Sequence, residues 1–188
     1  MKITDVRTHL IDQYMFVQVD TDEGISGVGE SGAWAFLEAS KEAVETFKRY
    51  LIGQDPLLIE HHWQYMYRCY HFRGAAIMGA LSAIDIALWD IKGRYYGVPC
   101  YELLGGKVRH KARVYYHVFG SSGEELIQGC KEAKARGFKA VGHLTPFVDS
   151  DRREVMKMES FATKISNAAE RVYQYRETIG NEVDLCIE

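Results

Sequence analysis

The chain has 188 residues, 47% apolar and 26% charged, with a formal net charge of −3; this suits one large or two small globular domains with a hydrophobic core. The charge offers no electrostatic footing for nucleic acid or an anionic membrane surface. No apolar run is long enough to span a bilayer, and the segment from Met1 to Arg7 turns polar too early for a signal peptide. The four cysteines, Cys69, Cys100, Cys130 and Cys186, lie far apart with no C-x-x-C, which argues against a zinc site or a disulfide framework and fits a cytoplasmic protein.

Residues from Ile3 to Ile11, from Met15 to Val19 and from Ile25 to Glu30 read as strands. The turn Asp20-Thr21-Asp22-Glu23-Gly24 joins the last two, so the opening is a small antiparallel sheet. The run Gly27-Val28-Gly29-Glu30-Ser31-Gly32 contains G-x-G but not G-x-G-x-x-G, and no βαβ unit surrounds it, so it is a poor nucleotide loop. The period then changes. Phe36, Leu37, Ser40, Ala43, Val44, Phe47, Tyr50 and Leu51 share one helical face, closed by Gly53 and Pro56. Ile59, Trp63, Met66 and Tyr70 share the face of a second helix, which Gly74 breaks. Ile77, Ala80, Leu81, Ile84, Leu88, Ile91 and Tyr95 mark a long third helix. It carries an i, i+4 pair, Asp90–Arg94, and is closed by Gly97 and Pro99. A sheet followed by helices is an α+β signature.

Beyond Gly105-Gly106 the pattern becomes strand–helix–strand–helix–strand. The strands are Ala112 to Val118, Phe138 to Leu144 and Val183 to Glu188. Ser122-Gly123-Glu124-Glu125 reads as a capping box opening a helix whose buried stripe is Leu126, Ile127, Cys130 and Ala133, with Gly137 as its C-cap. A further helix fills most of the stretch from Arg152 to Ile179, with Met156 and Met158 as packing residues. The short joints leave no room for hairpins, so the strands are parallel. Other clusters have bland readings. His61 and His62 point in different directions from one helix and make a poor metal pair. The aromatic series Trp63, Tyr65, Tyr67, Tyr70 and Phe72 has no basic stripe beside it and reads as core and interface.

The stretch from Ala80 to Arg94 (Ala-Leu-Ser-Ala-Ile-Asp-Ile-Ala-Leu-Trp-Asp-Ile-Lys-Gly-Arg), with Gly97, Pro99 and Leu103-Leu104-Gly105-Gly106, resembles the signature of the mandelate racemase/muconate lactonizing branch of the enolase superfamily. The segment from Val19 to Glu30 is also typical of that branch. Within it, Val114-Tyr115-Tyr116-His117 with Gly120 resembles the first barrel strand of mannonate- and galactonate-type sugar-acid dehydratases. The resemblance implies an α+β capping domain over residues 1–106. Residues 107–188 would then be the start of a (β/α)8 TIM-like barrel. A complete barrel needs roughly 250 residues, so about three of its strands are expected here and the chain is expected to be a fragment of a longer enzyme.

It further implies Mg²⁺-dependent dehydration of a sugar acid. A Lys or His removes the proton next to a carboxylate, the metal stabilises the charge that develops, and a general acid helps the β-hydroxyl leave. The first metal ligand belongs at the end of the third barrel strand, which is Glu188 here, where the family more often has Asp. Read without the resemblance, Glu188 is an ordinary exposed acid. The second strand departs from the family. Racemases carry Lys-x-Lys at its end and mannonate dehydratases an Arg; those positions hold Gly142 and Leu144, neither able to take a proton. His143 lies between them. Strand alternation points it away from the barrel axis, where it packs or meets solvent, unless a bulge reverses it and makes it an acid–base candidate.

Trp34, where mannonate dehydratases have Asn, and Arg73, in the loop His71-Phe72-Arg73-Gly74, are candidate substrate contacts from two cap loops. A structural ion pair is the other reading of Arg73. His117 matches a substrate-contacting His, with a packed His as the alternative. The remaining acids and bases are expected beyond Glu188. The implied partner is a small-molecule sugar acid, with neither nucleic acid nor membrane, in a homo-oligomer. The alternatives are a non-catalytic or regulatory homologue that has lost the chemistry, or a racemase or cycloisomerase of the same branch.

Overall fold

The computed structural model describes residues 1–147 and 160–188. They form two compact units, Met1–Val108 and Arg109–Glu188. The first unit opens with strands β1 (Ile3–Ile11), β2 (Tyr14–Thr21) and β3 (Ser26–Ser31), an antiparallel sheet in the order β1-β2-β3. Ile11 pairs with Tyr14 across a two-residue turn in which Asp12 takes a positive φ of 54°, the left-handed conformation such hairpin turns require. Burial alternates along β2, with Met15, Val17, Val19 and Thr21 facing inwards.

Helices α1 (Leu37–Leu51), α2 (Ile59–Arg68) and α3 (Ala75–Tyr96) follow, and then a single turn, α4 (Cys100–Leu103). Phe36 and Tyr70 fall outside the helices and are exposed, contrary to the faces expected for them. Helix α3 packs on the sheet through small residues. A Cβ on Gly27 would lie 2.0 Å from the carbonyl oxygen of Ala87, and one on Gly29 would lie 2.0 Å from that of Ala83. The G-x-G therefore admits the backbone of α3 against β3. The signature acid Asp90 ties the same contact, accepting from the Val28 amide at 3.1 Å and from Arg94 at 3.0 Å. Gly97, with φ 67°, ends α3 in the left-handed conformation expected of a C-terminal glycine.

His62 is the buried member of the adjacent histidine pair. Its Nδ1 lies 2.9 Å from the Tyr50 hydroxyl and its Nε2 2.8 Å from the Asp55 carbonyl. A carbonyl only accepts, so Nε2 carries the proton and Nδ1 accepts from Tyr50. Burial pushes the imidazole below its usual range, against the opposing pull of the Asp55 carbonyl. This is a satisfied core histidine.

The second unit holds β4 (Tyr116–His117), α5 (Gly123–Ala135), β5 (Ala140–Leu144), α6 (Phe161–Ile179) and β6 (Asp184–Ile187). The sheet is parallel, in the order β4-β5-β6. Strand β4 is much shorter than the stretch expected from Ala112 to Val118, since β5 alone pairs with it among the described residues. Ser122 caps α5 by accepting from the Glu125 amide at 3.2 Å. The carboxylate of Glu125 reaches back to Ser121, 2.7 Å from its amide, rather than to Ser122, so the capping box closes one residue early. Val118, Leu126, Cys130, Ala133, Val141, Leu144, Tyr175, Ile179 and Val183 make the core between sheet and helices. The helix expected within Arg152–Ile179 is present from Phe161; Met156 and Met158 lie outside the described residues.

Candidate functional site

In a parallel sheet the C-terminal ends of all strands lie along one edge, and one face of each strand points the same way. On the face opposite the helices, β4 and the residues before it present Arg113, Tyr115 and His117. Strand β6 presents Asp184, Cys186 and, one residue on, Glu188. The rows are tied near their start by an Arg113–Asp184 ion pair.

Strand β5 breaks the alternation. The pairing of β5 with β6 shifts register between Val141 and Leu144, and His143 adopts φ 61°, a left-handed conformation unusual outside glycine. This is a bulge. Gly142 takes the place on the open face, with its carbonyl accepting from the Val118 amide at 3.0 Å. His143, the extra residue, is thrown to that same face. Leu144 is returned to the core, fully buried, with its carbonyl accepting from the Glu188 amide at 3.1 Å. The expectation that His143 turns away and Leu144 occupies the axial position is therefore corrected, because one inserted residue shifts the phase of everything after it. The position thought to lack a proton carrier holds an imidazole.

The bulge brings three candidates together. His143 Nδ1 lies 2.8 Å from Glu188 Oε2, with both side chains about half exposed. The His143 ring stacks on that of His117, centroids 5.1 Å apart and planes within 3°. Tyr115 also stacks on His117, at 4.7 Å, and Phe119 lies 5.3 Å from His143. An ionised carboxylate only accepts, so the Nδ1 of His143 carries the proton in this contact and Nε2 is left for another partner. Among the described residues no group of three or more His, Cys, Asp or Glu is arranged to hold a metal by itself; Glu188 offers one hard oxygen donor of the kind Mg²⁺ takes.

The remaining candidates belong to the first unit. Trp34 is exposed in the loop after β3, which is bent by a positive φ of 67° at Ala35. Arg73 is exposed but engaged. It donates to the carbonyl of His71 at 2.9 Å and to that of Tyr67, and its guanidinium lies 4.3 Å from the centre of the Tyr67 ring. Among the described residues these contacts, rather than an ion pair, hold it, and they tie its own loop to the end of α2. A groove of about 690 Å³ between α2 and α3, lined by Glu60, His61, Trp63, Asp85 and Trp89, contains none of the candidate residues.

Residues 2–105 match the family model for the mandelate racemase/muconate lactonizing enzyme N-terminal domain. The chain belongs to this family, a branch of the enolase superfamily. Its first unit is the α+β capping domain of that superfamily, which accounts for the α3 signature and for the glycines that seat it. The whole chain is 39% identical to a D-galactonate dehydratase of Xanthomonas campestris and spans 48% of that protein. It is similar to a solved member of the enolase superfamily from Salmonella Typhimurium, at 30% identity and a TM-score of 0.83, covering 98% of this chain and 53% of the other. A solved enolase from Agrobacterium radiobacter, described with bound Na and L-malate, aligns at 27% identity and a TM-score of 0.86, covering 100% of this chain and 48% of the other. The chain thus spans about half the length of the curated relatives it matches. No helix among the described residues is long and apolar enough to cross a membrane.

Proposed function

We propose that the full-length protein is a metal-dependent hydro-lyase acting on a sugar acid of the galactonate, mannonate or gluconate class. The observation that carries this reading is the meeting of His117, His143 and Glu188 at the C-terminal ends of three parallel strands, the edge at which (β/α) barrels place their chemistry. The likeness to D-galactonate dehydratases over the whole chain supports the substrate class.

Residues 109–188 are then the opening strands of a barrel, and Glu188 is one of the ligands of Mg²⁺. When bound, the cation stabilises the negative charge that builds on the substrate carboxylate as its neighbouring carbon loses a proton. His143 is the acid–base residue of the second strand. With Nδ1 donating to Glu188, its Nε2 is the atom that exchanges a proton with substrate. Over the reaction the C2–H bond breaks, the proton passes to a base, and the C3–O bond breaks with proton donation from an acid. Water leaves, and the resulting enol rearranges to a 2-keto-3-deoxy acid. His117 binds the substrate's hydroxyls, and Trp34 and Arg73 are the other proposed substrate contacts.

The imidazole of His143 on the open face weakens the alternative of a homologue that has lost its chemistry, since that alternative rested on a second strand without a proton carrier. The test is an assay of the full-length protein on a panel of aldonic acids, with product read as a 2-keto-3-deoxy acid. Dehydration of at least one acid with Mg²⁺, abolished by chelator, is expected. Epimerised substrate or no turnover on any acid would overturn the reading.

A further inference from the structure

We propose that Tyr115 is a positioning residue, admitted by Gly142, whose ring holds His117 and through it His143 in line with Glu188. The inference rests on the reading of His143 as the acid–base group. Two stacked contacts, sharing His117, join three rings. Tyr115 and His117 are 4.7 Å apart with planes 28° from parallel, and His117 and His143 are 5.1 Å apart with planes 3° from parallel. The stack ends on a carboxylate, 2.8 Å from His143 Nδ1.

Gly142 makes room for the first ring. A Cβ at that position would lie 2.5 Å from Tyr115 Cδ2, 2.6 Å from Cε2 and 2.9 Å from the Cβ of Cys186. A side chain there and the Tyr115 ring are therefore mutually exclusive. The substitution that removes a functional side chain from the strand is the one that seats the stack.

A non-glycine residue stays at φ 61° here through contacts outside the stack. Such a conformation persists where the surroundings over-determine it. Leu144 anchored in the core and the Tyr175 hydroxyl donating to the Thr145 carbonyl at 3.0 Å fix the chain on the far side of the bulge. They set the backbone but leave the imidazole free to rotate about its side-chain bonds. His117, backed by Tyr115, supplies the flat surface that selects one ring orientation, and Glu188 selects the rotation within it. A half-exposed imidazole without that surface would sample several rotamers, and the reacting nitrogen would lose its aim.

The test is a double-mutant cycle in the full-length enzyme, with Tyr115→Leu, Tyr115→Phe, His143→Gln and the combination Tyr115→Leu/His143→Gln. Tyr115→Leu is expected to lower kcat roughly ten- to hundredfold while KM stays within about twofold. Tyr115→Phe, which keeps the ring, restores the rate to within about threefold of the parent. In the His143→Gln background Tyr115→Leu has no further effect, since the residue it acts through is gone. Gly142→Ala, which displaces the Tyr115 ring from the opposite side, gives the same kcat loss. In protein without added metal, the imidazole ¹⁵N resonances of His143 shift in Tyr115→Leu and not in Tyr115→Phe. If His143→Gln lowers the rate and Tyr115→Leu multiplies that loss independently, or if Tyr115→Leu leaves kcat and the His143 resonances unchanged, the positioning role is overturned and the role of His143 stands. If His143→Gln is itself harmless, the reading of His143 falls and the positioning role falls with it.

Discussion

Replacing His143 by glycine and by alanine separates the strain at the bulge from the chemistry proposed for its imidazole. At φ 61° an L-residue carries about 1–2 kcal/mol of steric cost that glycine avoids. Glycine loses more chain entropy on folding than alanine, by about 0.5–1 kcal/mol. The difference leaves His143→Gly more stable than His143→Ala by up to about 1.5 kcal/mol, the reverse of the order at an ordinary position. Lys131, exposed within α5, supplies the ordinary position, where alanine should exceed glycine by about 1 kcal/mol. Urea unfolding of the four variants of the full-length protein reads both differences. Both His143 variants should turn over sugar acid about 10²–10⁴-fold more slowly than the parent, so in the glycine variant stability and activity part company. Alanine above glycine at position 143, as at Lys131, would mean that the backbone there is not left-handed. The bulge, the direction of the imidazole and the site built on it would then all be wrong.

Glu188→Gln keeps the size of the side chain but removes the charge a hard cation needs; Mg²⁺ affinity by calorimetry and turnover should both fall steeply, with little change in melting temperature without metal, and unchanged binding would refute its role as a ligand. His62, whose native imidazole is held below its usual range by burial, binds its proton more readily in the unfolded chain. Stability should therefore decline as pH falls below about 6.5, and His62→Phe should flatten that decline while lowering stability at neutral pH; an equally steep profile in the variant would assign the dependence elsewhere. Gly29→Ala drives a Cβ into the carbonyl oxygen of Ala83 on α3, and a loss of about 1–3 kcal/mol or more is expected by thermal unfolding, whereas an unchanged melting temperature would show that α3 does not seat on β3 as described.

The elements that could be read from the residues alone are those whose side chains repeat. The sheet of the cap and the face of α3 follow periods of two and 3.6 over many residues, and the parallel order of β4, β5 and β6 follows from the lack of room for hairpins. The site turns on one residue that breaks the period. Counting alternation from Ala140 puts Gly142 and Leu144 on the axial face, and nothing in helix or strand preference marks His143 as left-handed. Two residues did carry a signal. Leu144 is a large aliphatic side chain at a strand end, where an axial position would leave it against a polar mouth, and its burial in the helix-side core is worth more than the cost of one left-handed residue: about 1.5–3 kcal/mol against about 1–2. Gly142 leaves space beside it for whichever neighbour fills it. If Leu144 is given to the core and Gly142 to the Tyr115 ring, the residue between them has only the open face left to it. Exposed Trp34 carries no such competition between neighbours, and the contacts that hold Arg73 to Tyr67 and His71 come from a loop with no period to read. A departure from a family motif therefore marks lost chemistry only when the strand is in phase. Here the departure at Gly142 and the bulge at His143 go together: an imidazole takes the open face one residue on, and the space beside Gly142 is filled by the Tyr115 ring.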